Sequence, residues 1–411
     1  MKLALLILCT FAYLVHFAVS DEMKTIELPL YKRYTKYSPQ TLKNQQSEIV
    51  PESEAIRRGL TTVEKQITNH LNLQYYSTLF IGENDFQMTF IYDTGSDYLW
   101  VPLNNCTQCY TTNLYTPTST FQTSGNADSI VYGSGSVSGV VATDQISATS
   151  GGANLTLTIL GIDFESTGLS GLEADGILGM SPSASGNAEL YVTKLYENGI
   201  IGANAFGVSY RDTTETSKIV LGGYDTSIVT NSSLFTYVPL RDTNYWSLNL
   251  KQTKYGTVDL ELQAVRGILD TGTSLTLFSN QNGDWDKVYA QISSGGRNCG
   301  FSTSSGLRAC NCTSDTDFED ITFEFGDYVY YFPRSSYVQV ESSQVCTFYI
   351  SDISAILSTP SVLIGDSFLR NYYVYHDVTN KRVGMYGTAT EASAFMIGAL
   401  TTIVQFMLVI I

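Results

Sequence analysis

The chain has 411 residues, a length that suits two or three domains of about 150 residues each. Hydrophobic residues make up 43% of the chain and charged residues 15%, so the composition supports a large core and argues against disorder. Acidic residues outnumber basic ones by 39 to 23, which disfavours nucleic acid and anionic membrane surfaces as partners and suits a monomer kept apart by its charge.

Residues 1–20 have the pattern of a signal peptide. Lys2 precedes an apolar run over residues 3–19, and the small residues Ala18 and Ser20 lie near a plausible cleavage point. A signal-anchor is the alternative interpretation. The pattern therefore predicts entry into the secretory pathway, with the cell exterior or cell surface as the destination and an acidic vacuole or lysosome as the alternative.

Residues 21–58 differ in charge from the rest of the chain. They hold seven basic residues against six acidic ones, whereas the chain from Gly59 onward holds 15 against 33. The segment ends in the dibasic pair Arg57-Arg58. We expect a removable propeptide that docks on the acidic body through its charge and ends between residue 58 and about residue 70. A solvated linker is the alternative.

The body of the chain, from about residue 71 to residue 387, is predicted to be mostly β-structure. Short apolar runs alternate with turn-forming Gly, Asn, Asp and Ser clusters. The clearest runs are Gln87–Tyr92, Ile130–Tyr132, Lys218–Leu221, Ile321–Phe325 and Tyr372–Tyr375. Helical periodicity is confined to two short stretches, Glu189–Asn198 and Asp284–Ile292. This pattern favours an all-β fold class with small helices between strands.

Residues 391–411 form a hydrophobic C-terminal tail. The seventeen residues Phe395–Ile411 carry no charge, at the short end of the ~17–25 residues that span a bilayer. Small residues at positions 387–394 precede this run, and the combination resembles a signal for attachment of a glycosylphosphatidylinositol (GPI) anchor, with a shorter polar spacer than usual. A retained membrane tail and a buried terminal strand are the alternatives.

Cysteines and sequons fit an oxidising compartment. Once Cys9 leaves with the signal peptide, six cysteines remain, an even number that predicts three disulfides: Cys106, Cys109, Cys299, Cys310, Cys312 and Cys346. Cys106 and Cys109 are expected to form a small disulfide loop, with half a zinc site or a redox pair as alternatives. N-glycosylation sequons occur at Asn105, Asn154, Asn231 and Asn311.

One acidic motif occurs twice. Asp93-Thr94-Gly95-Ser96 recurs as Asp270-Thr271-Gly272-Thr273, and apolar residues lead into both copies. Two independent copies are expected by chance in only about 0.01% of chains of this length, although a single copy would be an ordinary turn. The repeat predicts two duplicated lobes, at residues 59–240 and 241–390, each of which contributes one carboxyl group.

The chemistry of peptide hydrolysis explains these residue types. Two carboxyls about 3 Å apart cannot both ionise and therefore share one proton, as is established for aspartic proteases. The charged member can take a proton from water while the protonated member donates to the carbonyl oxygen, without metal or cofactor. Gly95 and Gly272 allow the two loops to approach closely. Ser96 and Thr273 can hydrogen-bond the outer carboxylate oxygens.

Residues from about 71 to 388 resemble the pepsin family of two-lobed aspartic proteases. The segment Val131–Ser136 resembles the flap that closes over substrate, with Tyr132 at the flap tyrosine position and Gly133 and Ser134 after it. Trp100 matches the tryptophan that supports this tyrosine. The resemblance implies an aspartic endopeptidase that acts on peptides or proteins in acid, with Asp93 and Asp270 as its catalytic pair in a cleft between the lobes.

Further segments carry the same resemblance. Asp175–Gly179, which contains Ile177, and Val362–Asp366 are similar to the two apolar segments that pass behind the catalytic loops. Residues 26–33 resemble the start of family propeptides, in which a lysine blocks the catalytic pair; Lys36 is the candidate here. The family's second-lobe disulfide matches Cys312 and Cys346, which leaves Cys299 to pair with Cys310.

Two features bear on function and on its limits. Asp97 stands where many family members have a small polar residue, and we expect its charge to raise the upper limit of the active pH range. His376 is the one histidine of the body available as a base for a serine or cysteine hydrolase, and we expect it to be a partly buried structural residue. A binding protein that kept the fold and lost catalysis is the main rival, although both aspartates and the flap tyrosine are present.

Overall fold

The computed structural model describes residues 24–33, 49–51, 54, 74–210, 217–341, 344–353 and 359–392. The expected signal peptide, Lys36, the dibasic pair at residues 57–58 and the tail beyond residue 392 lie outside the described residues.

Strands dominate the described chain. The first group comprises β1 (Ile26–Arg33), β2 (Ile49–Val50), β3 (Gln74–Ile81), β4 (Phe86–Asp93), β5 (Leu99–Pro102), β6 (Gln122–Val131), β7 (Ser136–Ser147), β8 (Leu155–Glu165) and β9 (Gly176–Gly179). The second comprises β10 (Ala205–Ser209), β11 (Ser217–Leu221), β12 (Thr236–Asp242), β13 (Ser247–Tyr255), β14 (Val258–Asp259), β15 (Arg266–Leu269) and β16 (Thr276–Ser279). The third comprises β17 (Cys299–Ser302), β18 (Arg308–Asn311), β19 (Ile321–Phe325), β20 (Tyr328–Phe332), β21 (Val338–Val340), β22 (Val345–Phe348), β23 (Ile350–Ile353), β24 (Val362–Ile364), β25 (Tyr373–Asp377), β26 (Arg382–Tyr386) and β27 (Ala389–Glu391).

Short α-helices connect some of these strands. They are α1 (Tyr191–Glu197), α2 (Asp284–Ile292), α3 (Arg334–Tyr337) and α4 (Asp366–Leu369), with 3₁₀ turns at Thr167–Leu169, Ser232–Leu234 and Asp315–Asp317. The two helices expected from periodicity are confirmed as α1 and α2, and each of the five apolar runs named above contributes to a strand. The all-β fold class is therefore confirmed.

The same three-stranded unit occurs in each half of the chain. In the first half, β9 runs parallel to β4 and antiparallel to β5. In the second half, β24 runs parallel to β15 and antiparallel to β16. Every residue of β9 is buried, as expected for a strand covered on both faces. The two copies of the acidic motif therefore lie at equivalent positions of two equivalent three-stranded units, which confirms the predicted two-lobed architecture.

A sheet between the lobes includes part of the expected propeptide. β10 pairs with β11 and β25, and β26 joins β25 to β12. β1 adds to the edge of β11 through residues 26–30, and its last three residues pair with β3. The side chains of Leu28 and Leu30 are buried in the core beneath this strand. Apolar burial and backbone pairing therefore hold β1 in place.

Candidate active site

The two aspartates lie at the ends of equivalent strands. Asp93 is the last residue of β4, and Asp270 directly follows β15. Each following glycine faces the opposite carboxyl group: a Cβ atom on Gly95 would lie 2.9 Å from Asp270 Oδ1, and one on Gly272 would lie 2.4 Å from Asp93 Oδ1. Any larger residue would collide with the opposite carboxyl, so glycine at both positions lets the two loops meet face to face.

Two threonines clamp the loops together through reciprocal hydrogen bonds. The Thr94 amide donates to Thr271 Oγ1 at 3.0 Å, and the Thr271 amide donates to Thr94 Oγ1 at 2.9 Å. Their hydroxyls donate onward to main-chain carbonyls of the opposite lobe, Thr94 to Leu269 at 2.9 Å and Thr271 to Tyr92 at 2.5 Å. All four bonds are buried, where an unpaired polar group would be costly, so the lobes are held in one register.

Each carboxylate accepts one amide and one hydroxyl hydrogen bond from its own loop. The donors are Gly95 (2.8 Å) and the Ser96 hydroxyl on Asp93, and Gly272 (2.9 Å) and the Thr273 hydroxyl (2.8 Å) on Asp270. These bonds fix the plane of each carboxyl and stabilise its charged form. Ser96 and Thr273 thus lie where the sequence predicted.

The electrostatics of the pair favour retention of a proton. Burial raises the pKa of Asp93, and the neighbouring Asp270 carboxyl raises that pKa further. The hydrogen bonds from Ser96 and from the Gly95 amide oppose this rise without cancelling it. The two carboxyls interact directly, so Asp93 keeps its proton at a pH where an isolated aspartate would have lost it.

A hairpin of β6 and β7 covers the carboxyls. Its turn is closed by the Tyr132 amide, which donates to the Gly135 carbonyl at 2.7 Å. The Trp100 indole N–H donates to the Tyr132 hydroxyl at 2.9 Å, and Ser96 hydrogen-bonds the same hydroxyl. Burial and then the nearby Asp93 raise the pKa of Tyr132, which stays neutral. The expected flap tyrosine and its supporting tryptophan are therefore linked to the first carboxyl through Ser96.

A cavity of about 300 Å³ lies between the lobes and is lined by both aspartates, by Tyr132, Gly133 and Ser134 of the hairpin, and by Ile177. Sequence reasoning missed most of its apolar wall: Ile91, Ile130, Leu169, Ile268, Ile353 and Leu363. Ile91 and Ile268 lie two residues before their aspartates, so strand alternation could have placed them on the same face. Ile130 likewise lies two residues before Tyr132, and Leu363 lies in the segment expected behind the second loop. No local pattern points to Leu169 and Ile353, because distant segments bring them to the cleft.

Two residues after the first loop attach it to other segments. The Tyr98 hydroxyl donates to Asp128 Oδ2 at 3.0 Å, and Asp128 lies on the hairpin strand β6. The carboxylate of Asp97 accepts hydrogen bonds from the amide (2.6 Å) and hydroxyl (2.5 Å) of Ser185, and Asp97 also lines the cleft. No local pattern indicates the Tyr98–Asp128 bond, which joins the hairpin to the lobe beneath it.

His376 has no part in this site. Its ring stacks on Phe206 with centroids 4.4 Å apart and packs edge-on against Trp246 at 4.7 Å. Burial lowers its pKa to about 3, so the imidazole is neutral, and neither ring nitrogen has a hydrogen-bond partner among the described residues. The expectation of a partly buried residue was wrong in degree, because the aromatic core encloses the ring completely.

The remaining predicted features have the following positions. Disulfides join Cys106 to Cys109, Cys299 to Cys310 and Cys312 to Cys346, which are the expected pairings. The asparagines of all four sequons are exposed. Within the described ranges, no group of His, Cys, Asp and Glu side chains is arranged to hold a metal ion. No helix of the described chain is long and apolar enough to cross a membrane.

The duplicated lobes, the facing aspartates and the hairpin over them define an aspartic protease. The chain belongs to the eukaryotic aspartyl protease family, whose model matches residues 74–387. It is 30% identical to pepsin A of Suncus murinus over 335 residues, which cover 78% of this chain and 83% of that protein. It is 31% identical to pepsin A of Sus scrofa (83% and 87% covered) and 31% identical to vacuolar protease A of Neurospora crassa (78% and 80% covered). The protein is an aspartic-type endopeptidase that acts on peptides or proteins.

Proposed function

We propose that this enzyme hydrolyses peptide bonds in acid with water activated by Asp93 and Asp270, and that it is made as an inactive precursor. The observation that carries the proposal is the reciprocal threonine clamp, which holds two buried carboxyls within hydrogen-bonding reach of each other. Acidic conditions suit this pair because the reaction requires one carboxyl to be charged and the other to be protonated.

The proposed reaction proceeds through a tetrahedral intermediate. The charged carboxylate removes a proton from water as the water oxygen attacks the carbonyl carbon, and the protonated carboxyl donates its proton to the carbonyl oxygen. Collapse of the intermediate breaks the carbon–nitrogen bond, and the carboxyl that received a proton from water gives it to the leaving amine. A hydroxyl of the intermediate returns a proton to the other carboxylate, so the acid product leaves and the pair regains its starting state. The hairpin carrying Tyr132 covers the substrate and excludes bulk water during these steps. The apolar cleft walls receive the substrate's side chains.

The precursor form is supported by the position of β1. This strand occupies an edge of the sheet between the lobes, where Leu28 and Leu30 are buried. We expected basic propeptide residues to pair with acidic residues of the body, but the ion pair of β1 is the reverse. Glu27 of the propeptide pairs with Lys218 of the body at 3.2 Å, and Lys218 also pairs with buried Asp225 at 2.6 Å. We propose that cleavage near the dibasic pair at residues 57–58 releases the segment.

The proposed route is the secretory pathway. Three disulfides and four exposed sequon asparagines are compatible with an oxidising, glycosylating compartment. The proposed destination is the cell exterior or surface, with the hydrophobic tail exchanged for a GPI anchor. An acidic vacuole is the alternative destination, because one relative is named vacuolar protease A. Mapping both termini of the purified mature protein tests the propeptide and the tail together.

The test of activity uses full-length protein that has been converted in acid. We expect it to cleave a generic protein substrate at about pH 3 to 6, and a statin-type transition-state analogue to abolish the cleavage. Protein whose conversion is verified by terminal mapping but which cleaves nothing over this range would refute the proposed activity. It would then favour a binding protein that keeps the fold.

A further inference from the structure

A second part of the expected propeptide pairs with the second lobe. Ile49 and Val50 form strand β2, which adds antiparallel to the edge of β17 in the five-stranded sheet β2-β17-β18-β22-β21. Val50 lies opposite Phe301, and Ile49 lies opposite Ser302. This contact is separate from that of β1, which adds to the sheet between the lobes.

The contact is apolar as well as hydrogen-bonded. Val50 and Phe301 form a small hydrophobic cluster of their own, and both side chains are buried. The guanidinium of Arg308 lies 4.3 Å from the centre of the Phe301 ring and packs against it. Loss of β2 would expose both the edge of β17 and the aromatic ring that Val50 covers. An open strand edge beside an apolar ring is a site for strand addition.

Gly300 makes the close approach of β2 possible. A Cβ atom at this position would lie 2.3 Å from the carbonyl oxygen of Val50 and 3.2 Å from the side chain of Ile49. The backbone of Gly300 does not require glycine for its conformation, because its φ angle lies outside the left-handed region. Pro51 then ends the strand, since proline has no amide proton to donate to the ladder.

We propose that the edge of β17 is a second docking site for the propeptide, specific for an extended segment with an apolar residue opposite Phe301. β1 fixes the propeptide to the sheet between the lobes and β2 fixes it to the second lobe, so release requires both strands to detach. Two linked contacts hold a segment more tightly than either alone, because each raises the effective concentration of the other. The regulatory role of this site rests on the proposed protease function and its inactive precursor.

The test uses full-length precursor at neutral pH and compares four forms: wild type, Gly300→Ala, Val50→Asp and the conservative control Val50→Ile. Amide hydrogen exchange is measured for Ile49–Val50, for β17, for β1 and, as an internal control, for β8 of the first lobe. We expect exchange at β2 and β17 to rise at least about tenfold in Gly300→Ala and Val50→Asp, and to stay at the wild-type rate in Val50→Ile. Exchange at β1 is expected to rise by a smaller factor in the same two variants, because loss of one linked contact weakens the other, and exchange at β8 is expected to remain unchanged in all four forms.

The same proteins are then converted in acid, and the half-time of propeptide release is measured. We expect Gly300→Ala and Val50→Asp to shorten it at least about threefold. Unchanged exchange, or an unchanged half-time, in both variants overturns the docking site. Gly300→Ala changes β17 itself, but Val50→Asp leaves the body's part of the sheet unaltered. A folding defect caused by Gly300→Ala therefore cannot account for the expected result in the Val50→Asp variant. If exchange responds as expected but no form ever cleaves peptide, the docking contact stands and the proposed protease function fails.

Discussion

The two aspartate loops have the same backbone arrangement and differ in the residues that surround them. Each aspartate lies at the end of a strand that has a parallel partner behind it, and each accepts hydrogen bonds from the second and third residues beyond it. The first loop is also tied to the covering hairpin, because Ser96 hydrogen-bonds Tyr132 as well as Asp93. The equivalent donor of the second loop, Thr273, serves Asp270. Duplication therefore explains why the two loops have the same geometry. The contact between Ser96 and Tyr132, which the second loop lacks in the described chain, links only the first loop to the hairpin.

The strongest test of the shared geometry is removal of either carboxyl. Asp93→Asn and Asp270→Asn should each lower kcat/KM by at least about 10³-fold, because water activation and carbonyl protonation both require the pair in the proposed mechanism. Steady-state kinetics on acid-converted protein checks this, with Asp163→Asn at an exposed position of β8 as a carboxylate control expected to retain most activity. Substantial activity in either dyad variant would show that one carboxyl suffices.

The pH dependence of the unfolding free energy tests the electrostatics of Asp93 and Asp270 without an assay of catalysis. The raised pKa of Asp93 means that the folded protein binds this proton more tightly than the unfolded chain does. Its contribution to the unfolding free energy is therefore complete below about pH 4 and is lost as pH rises through the raised pKa. Asp93→Asn should be more stable than wild type at pH 7, with the difference vanishing near pH 4. Denaturant titrations at the two pH values measure this, and equal stabilities throughout would contradict the raised pKa.

The parts of the site that were predictable are those with local sequence patterns. The repeated acidic motif predicted both aspartates, their glycines and their hydroxyl donors. The resemblance of Asp175–Gly179 and Val362–Asp366 to the family's segments implied that they pass behind the two loops. Threonine is a neutral neighbour in a turn, so nothing local revealed that Thr94 and Thr271 bond each other across the lobes. That clamp exists only once two distant segments have met.

Other contacts were missed for the same physical reason. Tyr98 and Asp128 each look like ordinary polar surface residues in their own segments, yet the fold joins them. The two-residue strand β2 is too short to have a periodicity, and the space that admits it is made by Gly300 in a remote strand. Periodicity reports which face of a segment is buried, but it does not report which partner covers that face.

The two glycines offer a graded test of how closely the loops approach. A methyl group on Gly272 would lie 2.4 Å from an oxygen of Asp93, whereas one on Gly95 would lie 2.9 Å from an oxygen of Asp270. Both Gly→Ala variants should lose activity, with Gly272→Ala the more damaging at about 10²-fold in kcat, since small misplacements of reacting groups are costly. The kcat values of the two purified variants decide the order. A larger loss of kcat in Gly95→Ala would mean that the methyl group displaces Asp270 of the second loop further than the Gly272→Ala methyl group displaces Asp93.

Removal of the hydroxyl groups of Ser96 and Thr273 tests the difference between the two loops. Ser96→Ala removes a hydrogen bond that lowers the pKa of Asp93, so that pKa should rise and the pH–rate profile should move to higher pH. It also breaks the link to Tyr132, so kcat/KM should fall by about tenfold, more than in Thr273→Ala. Exchanging the residues, as Ser96→Thr and Thr273→Ser, keeps both hydroxyls and serves as the control. Equal losses in the two alanine variants would remove the distinction between the loops.

The smallest expected effect concerns Asp97, whose equivalent in the second loop is Ser274. The Asp97 carboxylate lines the cleft and is held by Ser185, so a fixed negative charge lies near the pair in the first loop alone. A nearby negative charge disfavours loss of the shared proton, so Asp97→Asn should move the alkaline limb of the pH–rate profile down by less than about one pH unit. Ser274→Asp, which adds the equivalent charge to the second loop, should move it up. An alkaline limb that stays in place in Asp97→Asn would show that solvent screens this charge from the pair, and the loops would then differ only through the hairpin.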